Sequence, residues 1–332
     1  MVRPLWPLSL FGPVPSRRLG QSLGINNIPP KVCTYSCIYC QLGRTSTMQV
    51  DRQVFHEPQS VFQTVQERVG KAREASETVD YLAFVPDGEP TLDINLGKEL
   101  ELLKRLNLPT AVITNTSLIW RPDVRQDLMA ADWVSLKVDA VDEAVWRQID
   151  RPHGSLDVAS ILEGAMAFAS DYRGELVTET MLVVGVNDGE TQLRALGGFL
   201  ARLQPERAYL SVPTRPPAES WAQAPNEETV HRAYHILSKD LDQVEYLVGY
   251  EGNAFAFTGD LEKDLLSITA VHPMRKEAVS DYLARAGADW PAVHRLVAQG
   301  ELVEVEHAGH TFYLRRLGGR STSNSGCSSA SS

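Results

Sequence analysis

Lys31-Val32-Cys33-Thr34-Tyr35-Ser36-Cys37-Ile38-Tyr39-Cys40 sets three thiols at the spacing C-x3-C-x2-C. Clustering of this kind points to a metal site rather than to a disulfide framework. The fourth cysteine of the chain, Cys327, lies in a Ser-rich tail and reads as a spectator. The number three is informative. A structural zinc site closes with four ligands, and an electron-transfer 4Fe–4S cluster takes one cysteine on each iron. A trio leaves one iron open to a chelating molecule from solution. His56 or Cys327 could in principle fill that place, but His56, just before Glu57-Pro58, reads as a surface residue in a turn.

Working outward, short apolar runs alternate with longer amphipathic segments, the pattern of βα units around a parallel sheet. Strands are expected near 20–27, 80–86, 109–115, 132–139, 175–184 and 206–213. Helices are expected near 57–74, 95–106, 121–130, 155–170, 190–203 and 226–239. Six βα units are too few to close an eight-stranded barrel, so the expected fold is α/β, a partial (β/α)6 TIM-like barrel with its chemistry at the C-terminal strand ends. That core domain spans 1–257. Beyond Phe257, helices near 261–268, 275–286 and 290–299 and a hairpin of Leu302–Glu306 with His310–Arg315 suggest a small winged-helix domain over 260–317. Residues 318–332 are rich in Ser and Gly and read as a disordered tail.

The polar motifs fall at the expected strand ends. The second strand runs into Asp87-Gly88-Glu89-Pro90-Thr91-Leu92, where Gly permits close backbone approach and Pro stiffens the turn. The third ends in Ile113-Thr114-Asn115-Thr116-Ser117, polar groups that serve equally as a helix cap. The fourth ends in Lys137-Val138-Asp139, equally readable as a structural ion pair. Glu179 precedes Val184-Gly185-Val186-Asn187 on the fifth, and Arg215 follows the sixth. Arg151-Pro152-His153 is a further candidate for anion binding or proton transfer.

The cysteine spacing with Tyr39 at its aromatic position, together with Gly88-Glu89-Pro90, resembles the radical S-adenosylmethionine superfamily. The flanking sequence over about the first 250 residues resembles its stand-alone Fe–S oxidoreductases, which are related to the wyosine-base tRNA synthases. The resemblance implies a 4Fe–4S cluster on Cys33, Cys37 and Cys40. It also implies S-adenosyl-L-methionine held by Gly88, Glu89 and Pro90 at its methionine amino group, by Asn115, Thr116 and Ser117 at its carboxylate or ribose, and by Asp139, Gly185 and Asn187 towards ribose and adenine. The implied activity is reductive cleavage of S-adenosylmethionine to a 5′-deoxyadenosyl radical that takes hydrogen from a substrate, with flavodoxin or ferredoxin as electron donor. The sequence departs from the wyosine synthases in having no second cysteine trio, which argues against that activity.

Composition narrows the partners. With 32 Lys plus Arg against 42 Asp plus Glu, the formal net charge is −10, which disfavours a phosphate-backbone partner while leaving room for a local basic patch. No apolar run is long enough to span a bilayer, and Met1-Val2-Arg3-Pro4 does not open a secretory signal, so a cytoplasmic protein without a membrane partner is expected. The substrate, whether small molecule, nucleoside or peptide, is not legible. A rival reading is an iron–sulfur redox sensor that binds DNA through the winged helix, although 290–299 offers only Arg295 with His294 as basic contacts.

Overall fold

The computed structural model describes residues 8–247, 260–271 and 273–316. In chain order the core comprises β1 (Ser9–Ser16), β2 (Gly20–Asn26), the two-residue strands β3 (Val32–Cys33) and β4 (Thr47–Met48), α1 (Pro58–Glu74), β5 (Tyr81–Phe84) and α2 (Leu96–Leu103). It continues through β6 (Thr110–Thr114), α3 (Pro122–Leu128), β7 (Trp133–Lys137), α4 (Glu143–Ile149), α5 (Val158–Asp171), β8 (Glu175–Met181), α6 (Glu190–Leu203), β9 (Arg207–Ser211), α7 (Glu227–Leu237) and β10 (Val244–Leu247). A second group follows: α8 (Leu261–Val271), β11 (Met274–Arg275), α9 (Lys276–Ala286), α10 (Pro291–Ala298), β12 (Leu302–His307) and β13 (His310–Arg315).

The main sheet has eight strands in the order β1-β2-β5-β6-β7-β8-β9-β10. All its neighbours are parallel except β1, which runs antiparallel to β2. Six expected strands are therefore joined by two more, one at each edge. Both were hidden from periodicity. Gly12, Pro13 and Pro15 break the alternation of β1, and β10 is four residues long with its two central side chains turned to solvent. Helix α4 was likewise not anticipated.

Side chains alternate across the strands. One face, with Leu82, Phe84, Val112, Val134, Leu136 and Leu210, packs under the helices in the large core. The other face encloses a second cluster of Ala83, Ala111, Trp133, Val177, Tyr209 and Leu247. That cluster is the apolar layer on this face of the sheet. Strand β1 covers its flank: Phe11 lies so close to Gly24 that any Cβ there would overlap its ring.

The second group has the order helix–strand–helix–helix–strand–strand and a three-stranded sheet β11-β13-β12. Its core, built on Leu265, Met274, Tyr282, Leu296 and Tyr313, also takes in Phe11 and Val14 of β1. The tail at 318–332, Cys327 and the expected boundary at Phe257 lie outside the described residues. Among the described residues no helix is long and apolar enough to cross a membrane.

Where β2 ends and α2 begins, Asn27, Asp93 and Glu99 are wholly buried. Burial first, and then the Asp93 charge, hold the Glu99 carboxyl well above its ordinary value of 4.5. The folded chain thus keeps Glu99 protonated where the unfolded chain ionises it, and stability from this site falls as pH rises above 4.5. Glu99→Gln, neutral at every pH, removes that loss. The difference in Tm between variant and wild type should be small near pH 4.5 and grow in the variant's favour toward alkaline pH; a difference independent of pH would contradict this assignment.

Candidate metal and cofactor site

The cysteine loop has almost no regular structure, so its backbone groups must find partners elsewhere. Three other segments supply them. From the turn after β5, Asp87 O accepts from Lys31 N at 2.9 Å, and Glu89 N donates to Val32 O at 3.3 Å. Gly88 faces the same Val32 carbonyl, which any side chain would overlap. From the end of α4, Asp150 O accepts from Ser36 N at 3.0 Å and Ile149 O from Ile38 N at 2.9 Å, while His153 N donates to Thr34 O at 2.9 Å. Tyr35 pairs with Pro152 in an isolated bridge. From the segment after β9, Glu219 N donates to Ile38 O at 2.9 Å.

Side chains reinforce this frame. Glu219 accepts from Arg44 through Nε at 2.8 Å and Nη2 at 3.0 Å, and from Arg151 Nη1 at 2.5 Å. The buried Tyr35 accepts from Trp146 Nε1 at 3.1 Å, with the rings edge to face. Lys31, itself buried, donates to Gly43 O at 2.6 Å and lies 3.4 Å from Cys40 Sγ.

Glu89 is wholly buried and its carboxylate is fully engaged. Oε1 accepts from Thr91 N at 3.0 Å, Thr91 Oγ1 at 2.6 Å and Thr114 Oγ1 at 2.6 Å, and Oε2 from Asn115 N at 2.8 Å. Burial raises its pKa against the pull of these donors. Asn115 in turn donates to Thr34 Oγ1 at 2.8 Å and lies 3.5 Å from Cys33 Sγ; Ser117 Oγ is 2.7 Å from the same threonine hydroxyl. Thr116 adopts a left-handed φ of 71° and buries a hydroxyl without a hydrogen-bond partner.

On the opposite side, the buried Asp139 accepts from Tyr39 Oη and, through Oδ1 at 2.6 Å, from Met181 N. Asn187 folds the next turn by donating to Asp139 O and Met181 O, both at 2.8 Å, and accepting from Val183 N at 2.8 Å. Gly185 sits in that turn at φ 71° with open space on its Cβ side.

The thiols themselves are half-buried and unpaired with one another. Burial, then Glu89, pushes Cys33 up to about 12, and burial, then Asp150, pushes Cys37 well above the ordinary thiol range. As bare groups Cys33 and Cys37 are protonated at neutral pH. Iron would reverse that, because a coordinating thiol is deprotonated outright. Among the described residues no group of three or more His, Cys, Asp or Glu converges on a single ion. A cubane makes no such demand, since each cysteine binds a different iron. The donor set therefore fits a three-cysteine cluster.

A charged layer lies beyond the apolar cluster of Trp133, Val177 and Tyr209, toward the C-terminal ends of β7, β8 and β9. The register of β7 on β8 sets Lys137 opposite Glu179, with Nζ to Oε1 at 3.3 Å. Lys137 also reaches Asp139 at 3.5 Å, Ser211 Oγ donates to Glu179 at 3.0 Å, and Arg18 completes an ion pair with the same carboxylate. Burial would raise Glu179, but Arg18 and Lys137 overcome it and hold the carboxyl at about 2. Arg215 bonds Gln41 at 2.6 Å, and both line a small cavity here with Phe11, Arg18, Gly24 and Val85.

Several sequence expectations change. His56 is 5% exposed, not a surface residue, and burial lowers its pKa. Arg151 and His153 brace the cysteine loop: Arg151 holds Glu219, and His153 bonds through its backbone while its ring meets Ser155 at 2.8 Å. Asp150, 3.4 Å from Cys37 Sγ, and Glu219 carried no sequence signal, because each lies more than a hundred residues from its partner on the loop.

The sequence profile of the Radical SAM superfamily matches residues 27–194, the stretch that contains all three cysteines and the turns just described. The chain belongs to the radical SAM superfamily. It is 45% identical to the UPF0026 protein MJ1312 of Methanocaldococcus jannaschii over 312 residues, 93% of this chain and 97% of that protein. It is also 35% identical to a UPF0026 protein of Helicobacter pylori strain J99 over 210 residues, 62% of this chain and 67% of the other. Among solved structures, TYW1 with a lysine-pyruvate adduct bound is similar at a TM-score of 0.51 and 15% identity, over 66% of this chain and 74% of that one; this likeness shows the radical SAM fold alone.

Gly88→Ala should separate the turn from the cysteine loop and destabilise the chain by about 1–3 kcal/mol, the usual cost of forcing atoms into a packed site. Glu219→Ala should leave Tm within a few degrees of wild type yet speed amide hydrogen exchange at Ile38. Unchanged exchange at that position would show that the arginine–glutamate clamp does not hold the loop.

Proposed function

We propose that this chain is a radical S-adenosylmethionine enzyme in which Cys33, Cys37 and Cys40 bind a 4Fe–4S cluster and leave one iron for S-adenosyl-L-methionine. The observation that carries this reading is the trio of half-buried thiols on one loop, braced by the turn after β5, the end of α4 and the segment after β9. When bound and given one electron by flavodoxin or ferredoxin, the cluster and S-adenosylmethionine supply a 5′-deoxyadenosyl radical able to take hydrogen from a substrate.

The protein's part is placement and exclusion of water. Glu89 is committed to Thr91, Thr114 and Asn115, so we assign it the shape of the turn, and assign the backbone of Gly88-Glu89-Pro90 to the methionine amino group. The Thr116 hydroxyl, with Asn115 and Ser117 beside it, suits the methionine carboxylate or a ribose hydroxyl. Gly185 leaves room for adenine, with Asn187 and Asp139 holding its turn in place. Tyr35 and Tyr39 screen the thiols from solvent, which tunes a cluster's potential. The layer of Arg18, Lys137, Glu179 and Ser211 faces the interior where a substrate would lie.

The helix–strand–helix–helix–strand–strand order from α8 to β13 supports the winged-helix reading of this region. On α10 the single arginine, Arg295, is paired with Glu262 at 2.5 Å, and β12 carries Glu304 and Glu306. These charges oppose a phosphate backbone, so the redox-sensor reading is not favoured. Packing of this domain on Phe11 and Val14 supports a cover for the barrel flank instead.

Anaerobic reconstitution followed by dithionite and S-adenosylmethionine should yield 5′-deoxyadenosine, and Cys37→Ala should abolish it. A wild-type protein that assembles the cluster and never cleaves S-adenosylmethionine would sink the enzyme reading.

A further inference from the structure

Helix α7 lies on the outside of the barrel, with the buried Ala233, Ile236 and Leu237 turned toward the core. On its exposed face, one turn apart, stand His231 and His235. Their Nε2 atoms are 3.2 Å from each other and the rings meet edge to face at 4.2 Å between centroids. Residues at i and i+4 share a helix face, but exposed side chains are free to point apart. Here both imidazoles turn the same nitrogen toward each other, within reach of a single ion.

Neighbouring groups favour that orientation. Tyr234 stacks on Tyr246 of β10 at 4.9 Å between centroids and lies nearly perpendicular to the His235 ring at 5.7 Å. The helix start is fixed by Asn226, whose side chain accepts from Thr229 N at 2.9 Å. The pair therefore sits on a capped helix packed against the barrel, with one ring braced by an aromatic stack.

We propose that His231 and His235 form a surface chelate for a borderline divalent metal ion such as Zn2+, Ni2+ or Co2+. Zinc–nitrogen bonds run at about 2.0–2.1 Å, so two nitrogens 3.2 Å apart subtend an angle of roughly 100° at the metal, close to tetrahedral. Neutral imidazole suits these metals, whereas the all-oxygen preference of Mg2+ and Ca2+ excludes them. Without metal, one imidazole donates its Nε2–H to the other; with metal, the donor ring takes its Nδ1–H tautomer, so that both Nε2 lone pairs bind the ion and each imidazole stays neutral. Two protein ligands leave the remaining positions to water, so the ion exchanges readily. The site is independent of the cysteine cluster, and no step of the proposed reaction passes through it.

The test uses the full chain without an affinity tag and with its cluster reconstituted, so that Cys33, Cys37 and Cys40 are not available to the added ion. Wild type should be retained on a nickel–iminodiacetate column, and His231→Ala and His235→Ala should each elute at lower imidazole. Calorimetric titration with Zn2+ should show one equivalent bound by wild type, weakened in either variant by more than the roughly tenfold that loss of an outer-shell partner typically costs. Both substitutions are on an exposed face and should leave Tm in metal-free buffer unchanged. Equal retention and equal Zn2+ binding by wild type and both variants would overturn the proposal, as would a wild type that binds neither metal.

Discussion

The buried carboxylate of Glu89 joins two loops that would otherwise be independent. It accepts from Thr91 within its own turn and from Thr114 and Asn115 at the end of the next strand. A charge taken out of water is tolerated only when hydrogen bonds replace its hydration. The geometry of both turns follows from that requirement. Asn115, fixed through its backbone, reaches Thr34 and the vicinity of Cys33, while Gly88, fixed on the other side, lies flat on the Val32 carbonyl.

The same logic extends round the cysteine loop. A segment that must present three thiols cannot satisfy its own backbone in a helix or a long strand, so its partners are drawn from the ends of β5, α4 and β9. The thiols are placed by distant segments that also form the walls of the site. Asp150 and Glu219 belong to that bracing. So does Trp146, on a helix that the hydrophobic pattern did not reveal.

This explains what the sequence disclosed and what it withheld. The cysteine spacing, Gly88-Glu89-Pro90 and the six central strands were legible because each is a local pattern with a local cause. Strand β1 was not, because Gly12 and the prolines break its alternation and only the fit of Phe11 over Gly24 shows why the chain runs there. Burial of His56, the tie from Asp150 to the loop and the layer of Arg18, Lys137 and Glu179 depend on contacts between residues far apart in the chain, to which periodicity is blind. Lys137 and Glu179 were visible one by one; their pairing required the register of β7 on β8.

The central claim is that three cysteines leave one iron open to S-adenosylmethionine. Electron paramagnetic resonance of the reduced, reconstituted protein tests this before any turnover is needed. Addition of S-adenosylmethionine should shift the g values of the cluster signal, because a new ligand enters at one iron. A four-iron signal that is identical with and without S-adenosylmethionine would contradict the account.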